Sequence, residues 1–187
     1  RVLFRSCNMS KNVLILSASP RRGGNSDILC DEFLRGARDA GHNAEKIFIC
    51  DKKINYCTAC RICDENGGKC VIDDDMAEII EKMSAADIIV MASPVYFFAV
   101  DAQMKTLIDR TAACWRELAF KEFYFIITAG VDRPDALDGT LSDFRGFLKC
   151  LDDCTEKGYI FAQGIREFGA VKNSPYPKQA YDMGKSI

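Results

Sequence analysis

Apolar residues along the chain follow two alternating patterns. Short apolar runs rich in β-branched and aromatic residues predict strands. Between them, apolar residues recur every three or four positions, as on one face of a helix. The predicted strands are residues 13 to 19, 44 to 50, 87 to 93, 123 to 129 and 159 to 165. Helical spacing covers residues 28 to 37, 76 to 83, 104 to 111 and 137 to 151, and a last helix is predicted within residues 177 to 187.

This alternation predicts an α/β fold. Each pair of parallel strands needs a crossover connection, and helices have to cover both faces of the sheet. Five strands connected in this way predict a doubly wound parallel sheet with the strand order 2-1-3-4-5. Gly41 and Gly158 are predicted to end helices, and Asp75 with Glu78 resembles a capping box at a helix start.

The composition is that of one slightly acidic domain. The chain has 187 residues and a formal net charge of -2, with both signs of charge scattered along it. This balance disfavours nucleic acid and anionic membranes as partners, and no apolar run approaches the roughly 20 residues that span a bilayer. A natural start pattern occurs only at Met9, so residues 1 to 10 are treated as an N-terminal extension and residues 11 to 187 as the domain.

Ten cysteines and a single histidine shape the expected chemistry. Cysteines in a chain without a signal peptide favour a reducing compartment, so we expect a cytoplasmic protein. His42 follows a predicted helix end and is expected at the surface, and its isolation excludes a histidine-based catalytic triad. Six scattered cysteines are expected to be small buried residues: Cys7, Cys30, Cys50, Cys114, Cys150 and Cys154.

The sequence SASPRRGGNSD, residues 17 to 27, follows the first predicted strand and leads into the first helix. Small hydroxylic residues, glycines and arginines at a helix N-terminus form a cradle for an anion such as phosphate. The stretch matches neither G-x-G-x-x-G nor G-x-x-x-x-G-K-[ST], which disfavours a dinucleotide site and an NTPase P-loop. The alternative is a polar turn in which Ser26 caps the helix and the arginines are solvated.

Four cysteines lie within residues 51 to 73, a stretch without clear periodicity that we call the cysteine segment. Cys57, Cys60, Cys63 and Cys70 have the spacing C-x2-C-x2-C-x6-C, which is similar to that of iron-sulfur ligands. Zinc sites use two C-x2-C knuckles farther apart, and a thioredoxin-like dithiol does not need the third and fourth cysteines. An iron-sulfur cluster, free or disulfide-forming thiols, and zinc all stay open on this pattern.

Three loop motifs together carry a family resemblance. Ser19-Pro20-Arg21 with Asn25-Ser26 resembles the phosphate loop of the NADPH-dependent FMN reductases and the related iron-sulfur flavoproteins, which have a flavodoxin-like fold. SPVYFFAV at 93 to 100 and TAGV at 128 to 131 are similar to their second and third FMN loops. Packing in the core is the alternative for the three aromatic residues of the second loop. The resemblance implies that FMN is bound by Ser19, Arg21, Asn25, Ser26, Pro94, Val95, Tyr96, Phe97, Thr128, Ala129 and Gly130.

The resemblance also implies a function. The four cysteines look like the 4Fe-4S motif of the iron-sulfur flavoproteins, which implies an FMN-dependent oxidoreductase that passes electrons between the cluster and FMN. Ferredoxin or NAD(P)H is the implied donor, a small molecule the acceptor, and a homodimer or homotetramer the implied assembly. Because the cysteine segment follows the second strand, we expect it at the same sheet edge as the FMN loops, close enough for electron exchange. Electron passage to the FMN of a neighbouring subunit is also implied.

Two other functions compete with this interpretation. The first is an NAD(P)H-dependent FMN or quinone reductase whose cysteines hold no cluster. The second is a zinc-stabilised binding module on the same scaffold, without flavin. No residue for proton transfer is assigned, because the cofactor carries the redox chemistry.

Overall fold

A computed structural model describes residues 10 to 187 as a five-stranded parallel sheet in the order β2-β1-β3-β4-β5. The strands are β1 (Asn12–Ser17), β2 (Asn43–Phe48), β3 (Ile88–Pro94), β4 (Glu122–Thr128) and β5 (Thr155–Ala162). The helices are α1 (Asn25–Asp39), α2 (Ile62–Glu65), α3 (Met76–Ala85), α4 (Ala102–Arg110), α5 (Ala136–Leu148) and α6 (Tyr176–Lys185). The predicted flavodoxin-like fold and strand order are confirmed, and the cysteine segment follows β2.

Alternation along the buried strands divides the core into two layers. Leu14 and Leu16 of β1 belong to the layer that also contains the apolar faces of α3, α4 and α5. Val13 and Ile15 belong to the layer covered by α1 and α6. Successive side chains of a strand point to opposite faces, so runs with no polar positions are what a sheet covered on both sides requires.

Helices α1 and α6 pack unusually close together at two glycines. A Cβ atom added at Gly36 would lie 2.1 Å from the carbonyl oxygen of Tyr181, and one at Gly184 would lie 2.2 Å from that of Phe33. Only glycine permits this approach, so the contact fixes α1 firmly on the sheet. The firm placement matters because the N-terminus of α1 forms part of the candidate site.

The fifth strand begins and ends earlier than the sequence pattern predicted. β5 covers Thr155–Ala162, so the predicted strand over residues 159 to 165 is shifted, and the expectation that Gly158 ends a helix is wrong. The first half of β5 alternates between exposed and half-exposed residues, as an edge strand does, and lacks the apolar run that marks β1, β3 and β4. Residues 163 to 168 therefore form a loop at the carboxyl edge of the sheet.

The predicted capping box is not formed. Asp75 precedes α3, but its carboxylate accepts a hydrogen bond from the backbone N–H of Lys53 at 2.6 Å. The N–H of Met76 donates instead to Oδ1 of Asp74 at 3.1 Å. Asp74 and Asp75 thus fasten the cysteine segment to the start of α3.

His42 is buried, so the expectation of a surface position is wrong. Its Nδ1 accepts the backbone N–H of Lys11 at 3.2 Å, and its Nε2 lies 2.8 Å from the carbonyl oxygen of Ile187. Among the scattered cysteines, Cys30 and Cys114 are buried as expected, Cys154 is half-buried, and Cys50 and Cys150 are exposed. The expectation of burial is therefore wrong for the last two.

Residues 1 to 9, with Cys7, lie outside the described residues, so the expected N-terminal extension stays a prediction. Ser10 lies inside them, and its hydroxyl donates to the carbonyl of Gly41 at 3.1 Å. Among the helices of residues 10 to 187, none combines the length and the apolar character that crossing a bilayer requires.

Candidate active site

A cleft of about 490 Å³ opens at the carboxyl ends of β1, β3 and β4. Its volume is within the range of pockets that hold cofactors, and its place matches the switch point of doubly wound sheets. The cleft is lined by all eleven residues that the sequence motifs singled out: Ser19, Arg21, Asn25, Ser26, Pro94, Val95, Tyr96, Phe97, Thr128, Ala129 and Gly130. The structure brings these residues together, while their individual roles toward FMN stay predictions.

The loop between β1 and α1 is held in shape by Asp27, which is buried. One carboxylate oxygen accepts the N–H of Gly23 at 2.8 Å, and the other accepts the hydroxyl of Ser17 at 3.2 Å and Nζ of Lys46 at 2.7 Å. Gly23 has a φ of +69°, which suits glycine at this tight turn. Within the described residues no side chain caps α1, so its first N–H groups and its positive dipole end are available to an anion in the cleft.

The two arginines of this loop have different surroundings. Arg22 forms an ion pair with Asp51 and stacks over the ring of Phe48 at 4.4 Å. Arg21 is exposed, lines the cleft and forms no ion pair with any described residue. Arg21 is therefore the arginine of this loop that is free to meet a negatively charged ligand.

The first and third loops of the cleft meet through a buried pair of hydroxyl groups. The side-chain oxygens of Ser26 and Thr128 lie 2.7 Å apart. The residue before α1 is Gly24, so the alternative in which Ser26 merely caps the helix is wrong. This hydrogen bond fixes the distance between the phosphate-type loop and the end of β4.

The side chain of Asn25 is already fully used as a donor. Its amide group donates to the carbonyls of Ile165 and Glu167, both at 3.0 Å, and its oxygen accepts the N–H of Val171 at 3.2 Å. Asn25 therefore fastens the loop after β5 to the start of α1. Any contact of Asn25 with an anion has to come from its backbone N–H.

The second loop ends in a two-residue turn of unusual composition. Tyr96 and Ala99 exchange both backbone hydrogen bonds at 3.0 Å, and Phe97 and Phe98 between them have φ values of +50° and +62°. This is the pattern of a type I′ turn, which strongly prefers Asn-Gly because side chains disfavour positive φ. Phe97 is fully exposed, so core packing does not explain it. The turn projects aromatic surface over the mouth of the cleft.

The turn rests directly on α5. A Cβ atom added at Gly139 would lie 1.7 Å from the carbonyl oxygen of Phe98. The ring of Phe98 is in turn covered by the guanidinium of Arg133 at 5.4 Å. Helix α5 therefore supports the turn and determines how far the turn extends over the cleft.

Beneath the second loop lies a buried acid that pairs with no cation of the described part of the chain. Asp101 precedes α4, where Oδ1 accepts the N–H of Met104 at 3.0 Å, and its own N–H donates to Oγ of Ser93 at 2.9 Å. Within the described residues Oδ2 has no hydrogen-bond partner. Burial outweighs the hydrogen bonds from Met104 and Ser93 and raises the pKa of Asp101 to about 7. Asp101 therefore exchanges its proton near neutral pH.

Sequence reasoning missed a fourth contribution to the cleft. Ile165, Arg166 and Phe168 line it from the loop after β5, which the pattern had assigned partly to a strand. Gly164, with a φ of +70°, was the available signal that the strand ends before this loop. Arg166 adds a second cation that forms no ion pair with any described residue.

The four cysteines of the cysteine segment line one small cavity of about 30 Å³. Cys57 and Cys60 are exposed, while Cys63 and Cys70 are half-buried. The N–H of Ala59 points at Sγ of Cys57 at 3.4 Å. In residues 10 to 187, however, no three Cys, His, Asp or Glu side chains are arranged to hold a metal ion. The thiols share a cavity without forming a finished coordination site.

The base of the cysteine segment is closed by a buried ion pair. Nη1 and Nη2 of Arg110 contact the two carboxylate oxygens of Asp74 at 2.6 and 3.0 Å, and both side chains are almost fully buried. Burial alone would raise the pKa of Asp74, but hydrogen bonds from Arg110 and from the N–H groups of Asn55 and Met76 lower it to about 2. Asp74 is therefore a carboxylate at neutral pH.

The cysteine cavity lies away from the cleft, contrary to the expectation that both share one rim. The segment does leave β2 at the carboxyl edge, where Cys50 contacts the carbonyls of Ala18 and Ser19 at 3.7 Å. None of the four predicted ligands lines the cleft, and their cavity is bordered by the end of α4 at Asp109 and Arg110. Helix α4 begins directly after the second loop and ends at the cavity. The cavity therefore lies roughly one helix length, about 13 Å, from the second loop of the cleft.

Fold and cleft together define a flavodoxin-like protein with a cofactor-sized cleft at the switch point of its sheet. The chain matches the NADPH-dependent FMN reductase family over residues 11 to 145, and it belongs to that family. The family resemblance of the loop motifs is thereby confirmed, and the family is one of FMN-dependent oxidoreductases.

Several relatives carry the name iron-sulfur flavoprotein, and two of them illustrate the likeness. The chain is 39% identical to one from Archaeoglobus fulgidus over 127 residues, which are 66% of this chain and 57% of that protein. It is 41% identical to one from Methanosarcina thermophila over 170 residues, 90% of this chain and 85% of that protein. The chain thus spans little more than half of the Archaeoglobus protein.

A solved structure supports the fold. The azoreductase from Bacillus anthracis strain Sterne superposes with a TM-score of 0.75 over 96% of this chain and 100% of that one, at 14% identity. At this identity the likeness speaks for the architecture alone.

Proposed function

We propose that the protein is an FMN-dependent oxidoreductase of the iron-sulfur flavoprotein type, in which FMN in the cleft exchanges electrons with a 4Fe-4S cluster on Cys57, Cys60, Cys63 and Cys70. The observation that carries the proposal is that the predicted FMN residues line one cleft and the four predicted cluster ligands line one cavity of the same chain. When bound, FMN supplies one- and two-electron chemistry and the cluster supplies one-electron chemistry.

The residues of the cleft fit FMN in two ways. Among residues 10 to 187, no side chain caps the N-terminus of α1 and no carboxylate pairs with Arg21, and both features suit a phosphate group. The end of β4 and the loop after β3 offer backbone groups and the aromatic side chains of Tyr96 and Phe97 to a flat ring. Asp101 stands behind the second loop and can hold or release a proton near pH 7, although it is not part of the cleft lining.

The cysteine segment fits a sulfur-ligated cluster by its donor set. Four thiols on one cavity wall, with N–H groups directed at two of them, are the ligands that iron-sulfur clusters use. Because this cavity and the cleft lie at opposite ends of α4, we propose that the working form is a homodimer or homotetramer in which the cysteines of one copy approach the cleft of another. Ferredoxin or NAD(P)H as the donor, a small-molecule acceptor and a cytoplasmic location belong to the same proposal.

The second candidate is an NAD(P)H-dependent FMN or quinone reductase without a cluster. It is favoured by the absence, within the described residues, of side chains already arranged around a metal ion. Rapid reduction of bound flavin by NADPH in both the unchanged protein and Cys57→Ser would support this candidate.

Anaerobic purification with analysis of iron, sulfide and flavin tests the proposal. We expect flavin together with iron and sulfide, and a visible spectrum whose cluster absorbance bleaches with dithionite. Cys57→Ser should lose the iron and keep the flavin, while the matched control Cys150→Ser, which replaces an exposed cysteine outside the cavity, should keep both. Flavin without iron in the unchanged protein would contradict the cluster and favour the reductase without a cluster. A colourless protein that holds zinc would point to the binding module instead.

A further inference from the structure

Arg110 is a buried cation on the wall of the cysteine cavity. It is the last residue of α4, it is only 2% exposed, and it lines the cavity together with the four cysteines. Arg61 lines the same cavity from within the cysteine segment, but its side chain is 84% exposed and pairs with Asp64. Two arginines therefore border the cavity, and only one of them is shielded from water.

The guanidinium of Arg110 directs one of its nitrogens to a cysteine sulfur and leaves another without a hydrogen bond. Nη1 donates to the carbonyl of Asn55 at 2.7 Å and to Asp74, while Nη2 donates to Asp74 and to Sγ of Cys70 at 3.5 Å. Within the described residues Nε has no partner, although it is buried. A guanidinium has five N–H donors, and an unmade buried hydrogen bond costs free energy. A guanidinium that borders the four thiols, donates to the sulfur of Cys70 and keeps one donor unused suits a negatively charged occupant of the cavity.

Cys70 is the ligand that most needs an external anchor. Cys57, Cys60 and Cys63 follow one another at intervals of three residues, but Cys70 is separated from them by Gly67 and Gly68, with φ values of +72° and +84°. This turn does not itself fix the direction of the fourth thiol. The hydrogen bond from Arg110 does so, because Arg110 is held in turn by Asp74.

We infer that Arg110 is a positioning residue for the proposed cluster, which directs Cys70 into the cavity and stabilises the reduced cluster. The inference rests on the proposed function. A cluster on four thiolates is an anion that gains another negative charge on reduction. The charge of Arg110 is balanced by the carboxylate of Asp74, so its contribution comes from the N–H group on the Cys70 sulfur, which favours the reduced state and raises the reduction potential. Arg61 does not do the same, because its side chain is exposed and donates to Asp64.

The test is a redox titration of the anaerobically reconstituted protein, followed by electron paramagnetic resonance. The variant Arg110→Gln with Asp74→Asn removes both charges and keeps similar shapes, which avoids leaving one buried charge alone. We expect its cluster to become at least about tenfold harder to reduce, a shift of about 59 mV to more negative potential for one electron. Arg110→Lys should recover part of the shift, and the matched control Arg61→Gln should leave the potential unchanged.

A second measurement uses the unchanged sequence and so does not depend on the folding of a variant. With arginine labelled by nitrogen-15, pulsed electron paramagnetic resonance of the reduced cluster should detect a nitrogen-15 coupling that survives in Arg61→Gln. A cluster without this coupling, or a potential equal in the unchanged and doubly substituted proteins, would overturn the role of Arg110 and leave the proposed function standing. A reconstituted protein without iron would overturn both.

Discussion

The pKa values of two aspartates with buried side chains are shifted in opposite directions. Asp101 lies under the cleft, and Asp74 lies under the cysteine cavity. Asp101 has no cationic partner in the part of the chain that the structure describes, and burial raises its pKa to about 7. Asp74 is paired with Arg110, and its pKa falls to about 2. The same type of side chain is thus an acid that titrates near neutrality in one region and a carboxylate at neutral pH in the other.

The difference reflects how each region is built. The loops of the cleft continue strands that are already paired, as the bond from the N–H of Val95 to the carbonyl of Thr128 at 2.8 Å illustrates. The cysteine segment has only the single turn of α2 and few buried residues. The cleft therefore keeps its shape by sheet hydrogen bonds, whereas the cysteine segment is held at its base by the Asp74–Arg110 ion pair and by hydrogen bonds to Asp74 and Asp75.

The largest expected effect is the loss of that ion pair. Arg110→Ala should lower the free energy of unfolding by about 3–5 kcal/mol, because Asp74 is left as an unpaired buried charge. Urea unfolding measures it. Arg61→Ala removes an exposed pair with Asp64 and should cost less than about 1 kcal/mol. Similar losses in both variants would show that the pair at Arg110 contributes no more than a surface contact.

The next effect is the pH dependence contributed by Asp101. Its pKa is higher in the folded protein than the ordinary 3.8, so the folded state binds the extra proton between pH 3.8 and about 7. The stability that the protonated carboxyl group of Asp101 contributes is complete below pH 3.8 and is lost as the pH rises to about 7. Asp101→Asn keeps an acceptor for the N–H of Met104 and should remove this decline, which amounts to at most about 4 kcal/mol.

Unfolding free energies of both proteins between pH 4 and pH 8 measure the difference. Above pH 7, Asp101→Asn should be the more stable protein. Parallel pH profiles would mean that the carboxyl group of Asp101 is ionised throughout, and that the contrast with Asp74 is wrong.

A smaller effect is expected where the first and third loops of the cleft meet. Thr128→Val keeps the shape and removes the partner of the buried Ser26 hydroxyl, which should cost about 1–3 kcal/mol in unfolding free energy. Fluorescence titration with FMN should also show weaker binding. Adding Ser26→Ala should recover part of the stability without restoring binding. If Thr128→Val binds FMN as before, the hydroxyl pair does not support the cleft.

The smallest effect is a gain in stability at the second loop. Asn-Gly in place of Phe97 and Phe98 suits the positive φ values of this turn and should raise the unfolding free energy by about 1–2 kcal/mol. Chemical denaturation measures the gain. Phe120 is also exposed with a φ of +60° but lies outside the cleft lining, so Phe120→Gly is the matched control for strain alone. A loss of FMN affinity confined to the turn variant would assign the aromatic pair to the cleft.

Most of the fold could be predicted because three of the five strands, β1, β3 and β4, are nearly continuous apolar runs, and β2 keeps a shorter buried end at Ile47 and Phe48. β1 to β4 lie within one residue of the predicted bounds at each start, and their order follows from the crossover rules. β5 was misplaced because its first residues, Thr155 to Gly158, are half-exposed at the edge, while Ile165 looks like strand but belongs to a loop. An apolar pattern finds buried strands more readily than edge strands.

The lining of the cleft could be predicted where it follows a recognisable strand end. The contribution of Arg166 was missed together with the end of β5. The path of the cysteine segment could not be predicted, because it is set by the pairing of Asp74 with Arg110, which lie 36 positions apart. The sequence pattern places Arg110 at the polar end of an amphipathic helix, and none of the neighbouring residues in the sequence indicates that Arg110 is buried.

The close approach of Gly139 to the Phe98 carbonyl has a consequence for how this cleft could diverge among relatives. Any larger residue at 139 would have to push the aromatic turn outward, since the backbone of Phe98 occupies the space of a Cβ atom. Gly139 is not part of the lining. The breadth of the entrance thus depends on a position outside the lining, where one added methyl group could change selectivity while every lining side chain stays the same.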